Sequence, residues 1–305
     1  MTTGSRAWQR GGNSACAGTV ADVRPSVARA ALLVVLSMMC FSVADVLAAQ
    51  LARDLSPVAL AWARYTMLAA LLLPLATARP SMWRTRRLPL HLTRTASQVA
   101  SALFFMAGFQ RVPVAEATAM VFAAPLFVTV LAVAVLRERV AARDWLPVLL
   151  GFAGVLVVVR PGSSTFGWAA LFPIASSLAW AVAVICTRHL ASTERPGTSL
   201  LIASVTGALL LSTLLREVNA ASLATHVLPL ACMGLAWSVG LWLTVAAHQS
   251  ATAGTLAPFS YTQLLWTSLL SMAIFSHVPD AASCAGMAII LASGVLAGWR
   301  ALSRA

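Results

Sequence analysis

The chain has 305 residues, 60% hydrophobic and only 10% charged, with a mean hydropathy of +0.85. Soluble domains average roughly 25% charged residues, so this composition excludes an ordinary soluble globule and indicates an integral membrane protein. The 21 basic residues are all Arg and outnumber nine acidic ones. They cluster in short loops, a pattern of membrane topology and not of nucleic-acid binding.

Residues 1–28 are polar and without periodicity, and read as a cytoplasmic disordered tail. Ten apolar runs follow, each read as one bilayer-crossing helix. They lie at about 30–51, 58–78, 95–112, 114–136, 145–159, 167–187, 198–215, 227–248, 253–276 and 282–299. Residues 301–305 form a short second tail. Ten crossings put both termini on one face. With the termini inside, inner segments hold sixteen arginines and outer loops only Arg53, Arg111, Arg160 and Arg216. The positive-inside rule then makes both termini, and the hinge Arg137-Glu138-Arg139, cytoplasmic.

The cysteines at 16, 40, 186, 232 and 284 are scattered, and no C-x-x-C occurs, so neither a disulfide framework nor a metal site is expected. No G-x-x-x-x-G-K-[ST] loop is present, so ATP is not the direct energy source. The five histidines are dispersed, which argues against an enzyme. No cofactor is expected.

A repeat runs through the chain at an offset of 139 residues. Ser37 matches Ser176, Pro57 matches Pro196, Gln110 matches Gln249 and Leu126 matches Leu265. Each copy holds five spans, an odd number, so the second copy enters the membrane inverted. The expected architecture is all-α: ten transmembrane helices as two inverted five-helix repeats, residues 29–162 and 163–300. Such repeats favour a solute site near the midplane between the halves.

Charged groups inside spans are costly unless paired or facing a cavity. Asp45 and Arg64 lie at equal depth, roughly 9 Å below the outer surface, on consecutive antiparallel spans. They are expected to pair, either neutralising each other or bordering an outer gate. Glu116 opens the fourth span, as an interfacial carboxylate near a helix N-terminus or as a proton or ammonium site.

Polar and aromatic stripes mark the candidate cavity. Span 1 aligns Met38, Ser42 and Asp45, and span 3 aligns Gln98, Ser101 and Phe105. Span 4 aligns Glu116, Met120, Ala123 and Phe127, and span 6 aligns Ser176, Trp180 and Ala183. Span 8 aligns Trp237, Leu241, Thr244 and His248. Span 9 aligns Ser260, Gln263 and Thr267, beside Tyr261 and Trp266. Helix-packing hydrogen bonds explain any one stripe; six from both halves favour a cavity. Pro125 and Pro258 fall inside spans and are candidate hinges. Gly151, Gly154, Gly294 and Gly298 allow close helix approach, for packing or for a homodimer contact.

The fourth and fifth spans, with Pro125-Leu126-Phe127, Leu136-Arg137-Glu138-Arg139, Gly151-x-x-Gly154 and Arg160-Pro161-Gly162, resemble the EamA-type repeat of the drug/metabolite transporter superfamily. The run Ala257-Pro258-Phe259-Ser260-Tyr261-Thr262-Gln263 resembles that family's second repeat. The resemblance covers about residues 30–300 and implies ten helices and transport of small metabolites or drugs. The family often ends its fourth and ninth spans on a small residue and Glu. In this chain the fourth ends Arg137-Glu138 and the ninth Ser276-His277, which puts an imidazole at the outer face, where it is a solvated loop residue or a pH sensor.

The expected protein is a secondary transporter of a bacterial inner membrane. Its partners would be the bilayer and a small organic solute, amino-acid-like or drug-like, moved outward by alternating access. Alternatives are an importer of a larger nucleoside- or S-adenosylmethionine-like metabolite and a non-transporting scaffold.

Overall fold

The computed structural model describes residues 20–137, 141–160, 167–191, 194, 196–215, 220–251 and 253–302. Residues 1–19 and 303–305 of the two tails, hinge residues Glu138 and Arg139, and Pro161-Gly162 lie outside them. Among the described residues there are helices and no strand. They are α1 (Val20–Leu51), α2 (Pro57–Ala78), α3 (Leu88–Phe109), α4 (Val114–Val121), α5 (Ala124–Leu136), α6 (Ala142–Val159) and α7 (Leu171–Ala191). Then come α8 (Pro196–Leu214), α9 (Ala220–Thr225), α10 (Val227–His248), α11 (Ala253–Ser260), α12 (Thr262–Phe275) and α13 (Ala281–Leu302). Helix α1 begins at Val20, inside the stretch expected to be tail.

Local chemistry sets several of these limits. Ser56 caps α2 by accepting from the Ala59 amide at 3.3 Å, and Pro57 occupies the first turn, where its missing N–H costs nothing. Helices α5 and α12 both end on a residue in the left-handed region, Arg137 and Ser276, each with φ of 53°. These two positions are 139 residues apart. The same offset links α3 to α10, both 22 residues long, and carries α4 onto α11, bound for bound.

Among the described residues, seven helices are long and apolar enough to cross a membrane: Ala28–Leu51, Pro57–Ala78, Val114–Leu136, Gly167–Leu190, Pro196–Leu214, Val227–His248 and Ala281–Arg300. Trp145–Val159 is apolar but shorter. Helix α3 has the length, but His91, Arg94, Gln98 and their neighbours lower its apolarity. The ninth span is divided into two short helices.

Polarity is inverted relative to a soluble protein. Leu71, Val135, Leu209, Trp242, Leu269 and Val295 stand exposed, while Ser37, Ser42, Asp45, Arg64, Glu116 and Thr267 are buried. An apolar exterior matches lipid, and buried polar groups then bond to one another. Trp83, Trp168 and Trp299 are all exposed near helix ends, where tryptophans anchor a chain at the membrane interface.

Helix α1 lies along α10, α3 along α7, α2 along α8 and α6 along α13. Ser37 Oγ donates to the Gly240 carbonyl at 2.8 Å, joining α1 to α10; Ser101 and Ser176, 3.0 Å apart, join α3 to α7. These contacts are counterparts at the 139-residue offset. The glycine stripes close inside the chain. A Cβ on Gly154 would come within 2.8 Å of the Gly286 carbonyl, and one on Gly298 would overlap the Pro258 ring. These glycines allow close helix packing within one copy. Arg160 at the end of α6 pairs with Asp280, whose carboxylate also accepts from the Ser283 amide in the first turn of α13. The Arg160 hydrogen bond holds the Asp280 carboxyl well below the usual carboxylate range.

The fourth and ninth spans are broken, at Phe122-Ala123 and at Tyr261. Neither break falls on its proline. Pro125 sits in the first turn of α5, after the break, where it is well tolerated. Pro258 lies inside α11, before the break. Phe122 and Tyr261, equivalent under the repeat, stack on each other at 5.0 Å between ring centres.

Candidate functional site

The expected Asp45–Arg64 pair forms. Arg64 Nη2 donates to Asp45 Oδ1 at 2.9 Å and to the Ala44 carbonyl at 3.2 Å, with both side chains buried. Residues 45 and 64 face each other because α1 and α2 run antiparallel around a short turn at 52–56. Gln263 Nε2 on α12 donates to the other carboxylate oxygen at 3.1 Å. One turn on, Thr267 donates to Ser42 Oγ at 2.8 Å, and Ser42 donates to the Gln263 carbonyl at 3.2 Å. A single polar cluster thus ties α1 and α2 of the first half to α12 of the second. Four of its five side chains belong to the stripes of spans 1 and 9, and the fifth is Arg64.

The other candidates are spread around this cluster. Thr244 and Ser37 hydroxyls lie 2.6 Å apart between α10 and α1. Trp237 packs on Tyr65 at 5.8 Å, and Phe105 on Phe109 at 4.5 Å. Met120 is fully buried and Gln98 half-buried. Trp266 is half-buried, its indole N–H buried without a partner among the described residues. Trp180 is 42% exposed.

A pocket of about 790 Å³ opens next to the cluster. Its walls include Arg53, Phe109, Arg111, Ser271, Phe275 and His277. Ala49, also in the wall, lies one turn beyond Asp45 on α1, and Ser271 one turn beyond Thr267 on α12. One turn is about 5.4 Å, so pocket and cluster are adjacent layers. None of the twelve anticipated cavity residues lines this pocket.

His277 Nε2 meets Glu116 Oε1 at 3.0 Å across 161 residues of sequence. The sequence marks both residues, but separately. In the expected ten-crossing topology the start of span 4 and the end of span 9 share a membrane face, so the equal-depth reasoning that joins Asp45 to Arg64 extends to this pair as well. Glu116 is buried and its Oε2 has no partner among the described residues. Ser271, another buried group without a partner there, extends the Gln263–Thr267 stripe by one turn. Among the described residues no group of three metal-ligating side chains occurs.

Residues 28–160 match the family model described as the EamA-like transporter family. A "Riboflavin transporter" of Rhizobium johnstonii is 30% identical over 210 residues, covering 67% of this chain and 68% of that protein. The chain belongs to the EamA-like transporter family. Another relative, an "S-adenosylmethionine uptake transporter" of Rickettsia prowazekii, is 25% identical over 265 residues, covering 84% of this chain and 87% of that one. A solved crystal structure aligns with a TM-score of 0.55 at 18% identity, covering 89% of this chain and 96% of that chain, a likeness of fold. As an EamA-like transporter with seven membrane-capable helices among the described residues, the chain is a multi-pass membrane protein, and its family points to transport and not to catalysis.

Proposed function

We propose that the protein is a secondary transporter that carries a small organic metabolite across a bacterial inner membrane by alternating access. In this reading α1–α6 and α7–α13 are two inverted repeats of five crossings each, with the termini cytoplasmic. The 139-residue recurrence of helix bounds, of the left-handed caps Arg137 and Ser276, and of the Ser37 and Ser176 contacts supports it. The stack of Phe122 on Tyr261 supports it too, because equivalent residues touch only at a two-fold axis.

The observation that carries the function is the 790 Å³ pocket set one turn from a buried polar cluster that joins the two halves. A pocket of that size fits the range of small-molecule sites, roughly 300–1,000 Å³. Movement of α12 against α1 and α2 would open the Ser42–Asp45–Gln263–Thr267 layer to the solute. The names of the relatives favour a flavin- or adenosyl-sized metabolite, and "uptake" in one of them favours import over the outward movement expected from the resemblance. The test is uptake of labelled riboflavin and S-adenosylmethionine into proteoliposomes carrying the purified protein. Saturable entry of either, above empty vesicles, is expected. Absence of entry and of exchange for both would count against this reading.

A further inference from the structure

We propose that the pocket beside the polar cluster is an anion-selective binding site, and that Arg53 and Arg111 make it so. This rests on the transporter reading only in taking the pocket as the place where the solute first binds.

Among the described residues, Asp45 one turn below the pocket is paired with Arg64, and three further carboxylates at this end of the bundle each have a partner on at least one oxygen. Asp54 meets His226 at 3.6 Å, Glu116 meets His277 at 3.0 Å, and Asp280 pairs with Arg160. Arg53 and Arg111, both in the pocket wall, form no ion pair among the described residues. Aromatic rings flank both, and Arg111 Nη1 also donates to the Ala107 carbonyl at 3.1 Å. The Arg53 guanidinium carbon lies 5.8 Å from the centre of Phe275, and that of Arg111 lies 4.7 Å from Phe172 and 5.3 Å from Trp168. Cation–π contacts orient a guanidinium without neutralising it. Two guanidiniums with no carboxylate partner among the described residues, oriented by aromatic rings, therefore belong to the wall of one concave space, where cations raise the local concentration of anions.

The interior wall supplies a second feature. Ser271 belongs to the pocket wall and is 1% exposed, with its hydroxyl buried and without a partner among the described residues. A buried hydroxyl left open costs free energy unless a ligand completes it. Phe109 and Phe275 add apolar wall. Guanidiniums at the mouth, a donor below and phenyl walls between fit an organic anion with a flat apolar body and a carboxylate or phosphate. They disfavour a solute of net positive charge, so of the two kinds of metabolite in the relatives' names the adenosyl sulfonium is the poorer fit.

The charge of the pocket can be read without knowing the substrate. In a chain with its five cysteines replaced, Ala49→Cys is modified by anionic sulfonatoethyl and by cationic trimethylammonioethyl methanethiosulfonate. After normalisation to a free thiol, the anionic reagent is expected to react about tenfold faster. Arg53→Gln with Arg111→Gln should remove the preference, while Arg53→Lys with Arg111→Lys keeps it. Equal rates, a cationic preference, no modification by either reagent, or a preference that survives the double Gln change would overturn the proposal.

The ligand side uses a matched pair. Riboflavin 5′-phosphate should protect Ala49→Cys at about one-tenth the concentration that riboflavin needs, and S-adenosylmethionine should not protect. Equal protection by the neutral or cationic compound, or none by the anion, would equally overturn it. Failure of protection with successful uptake in proteoliposomes rejects only the anion assignment. Failure of uptake rejects the transporter reading and leaves the reagent rates to stand alone.

Discussion

Asp45 and Arg64 show how far single residues can be read. Their depths on antiparallel helices suffice to pair them, and the pair forms at 2.9 Å. The third partner is hidden from the sequence, because Gln263 lies 218 residues from Asp45 and reaches it only through the folding of one half onto the other. The geometry yields a ranking. Arg64→Gln leaves a carboxylate that can neutralise itself by taking up a proton. Asp45→Asn leaves a buried guanidinium, which cannot give one up. Asp45→Asn should therefore be the more destabilising, by on the order of 3 kcal/mol, since breaking a buried pair strands a charge. The double variant should recover part of that loss. Thermal unfolding in detergent checks it: equal losses, or a larger loss for Arg64→Gln, would mean that the pair is not a closed, dry contact.

At the scale of helices, the apolar runs are legible because each needs about 20 residues to cross a bilayer. The eighth span and α10 share both ends, 227 and 248. The breaks in spans 4 and 9 are less legible. Pro125 cannot donate to the Val121 carbonyl, where α4 ends, whereas α11 runs through Pro258 and the chain turns after it at Tyr261, where two aromatic rings meet. A proline is visible in one sequence; a ring stacked across the two halves is not. The glycines give the sharpest test at this scale. A side chain on Gly298 would overlap Pro258, and one on Gly294 would run into the Tyr261 ring. Gly108 has only ordinary contacts, 3.4 Å or more. Gly298→Ala should cost about 1–3 kcal/mol through overpacking. Gly108→Ala should be neutral or stabilising by up to about 1 kcal/mol, because it removes backbone freedom from a helix interior. Similar unfolding temperatures for the two variants would contradict the tight packing of α13 on α11.

Across the whole molecule, the repeat organises the backbone but not the chemistry. Asp45 corresponds to Val184, Arg64 to Ala203, Glu116 to Thr255 and Arg94 to Met233. Helix bounds recur at the 139-residue offset, yet the buried Asp45–Arg64 pair sits in the first half of the chain and is completed by α12 in the second. An offset of 139 residues reads directly from the sequence; the contacts that cross between halves do not, and the pocket depends on them. Under the proposed alternating access, the layer of Ser42, Gln263 and Thr267 is the barrier that opens first to one face and then to the other. Thr267 is fully buried and bonded to Ser42 in this state. The most direct test is the modification of Thr267→Cys, in a chain with its five cysteines replaced, by a membrane-impermeant thiol reagent. Right-side-out and inside-out vesicles should both show modification, and transported solute should slow it from both faces. Modification from one face only, or from neither, under every condition would contradict alternating access through this layer.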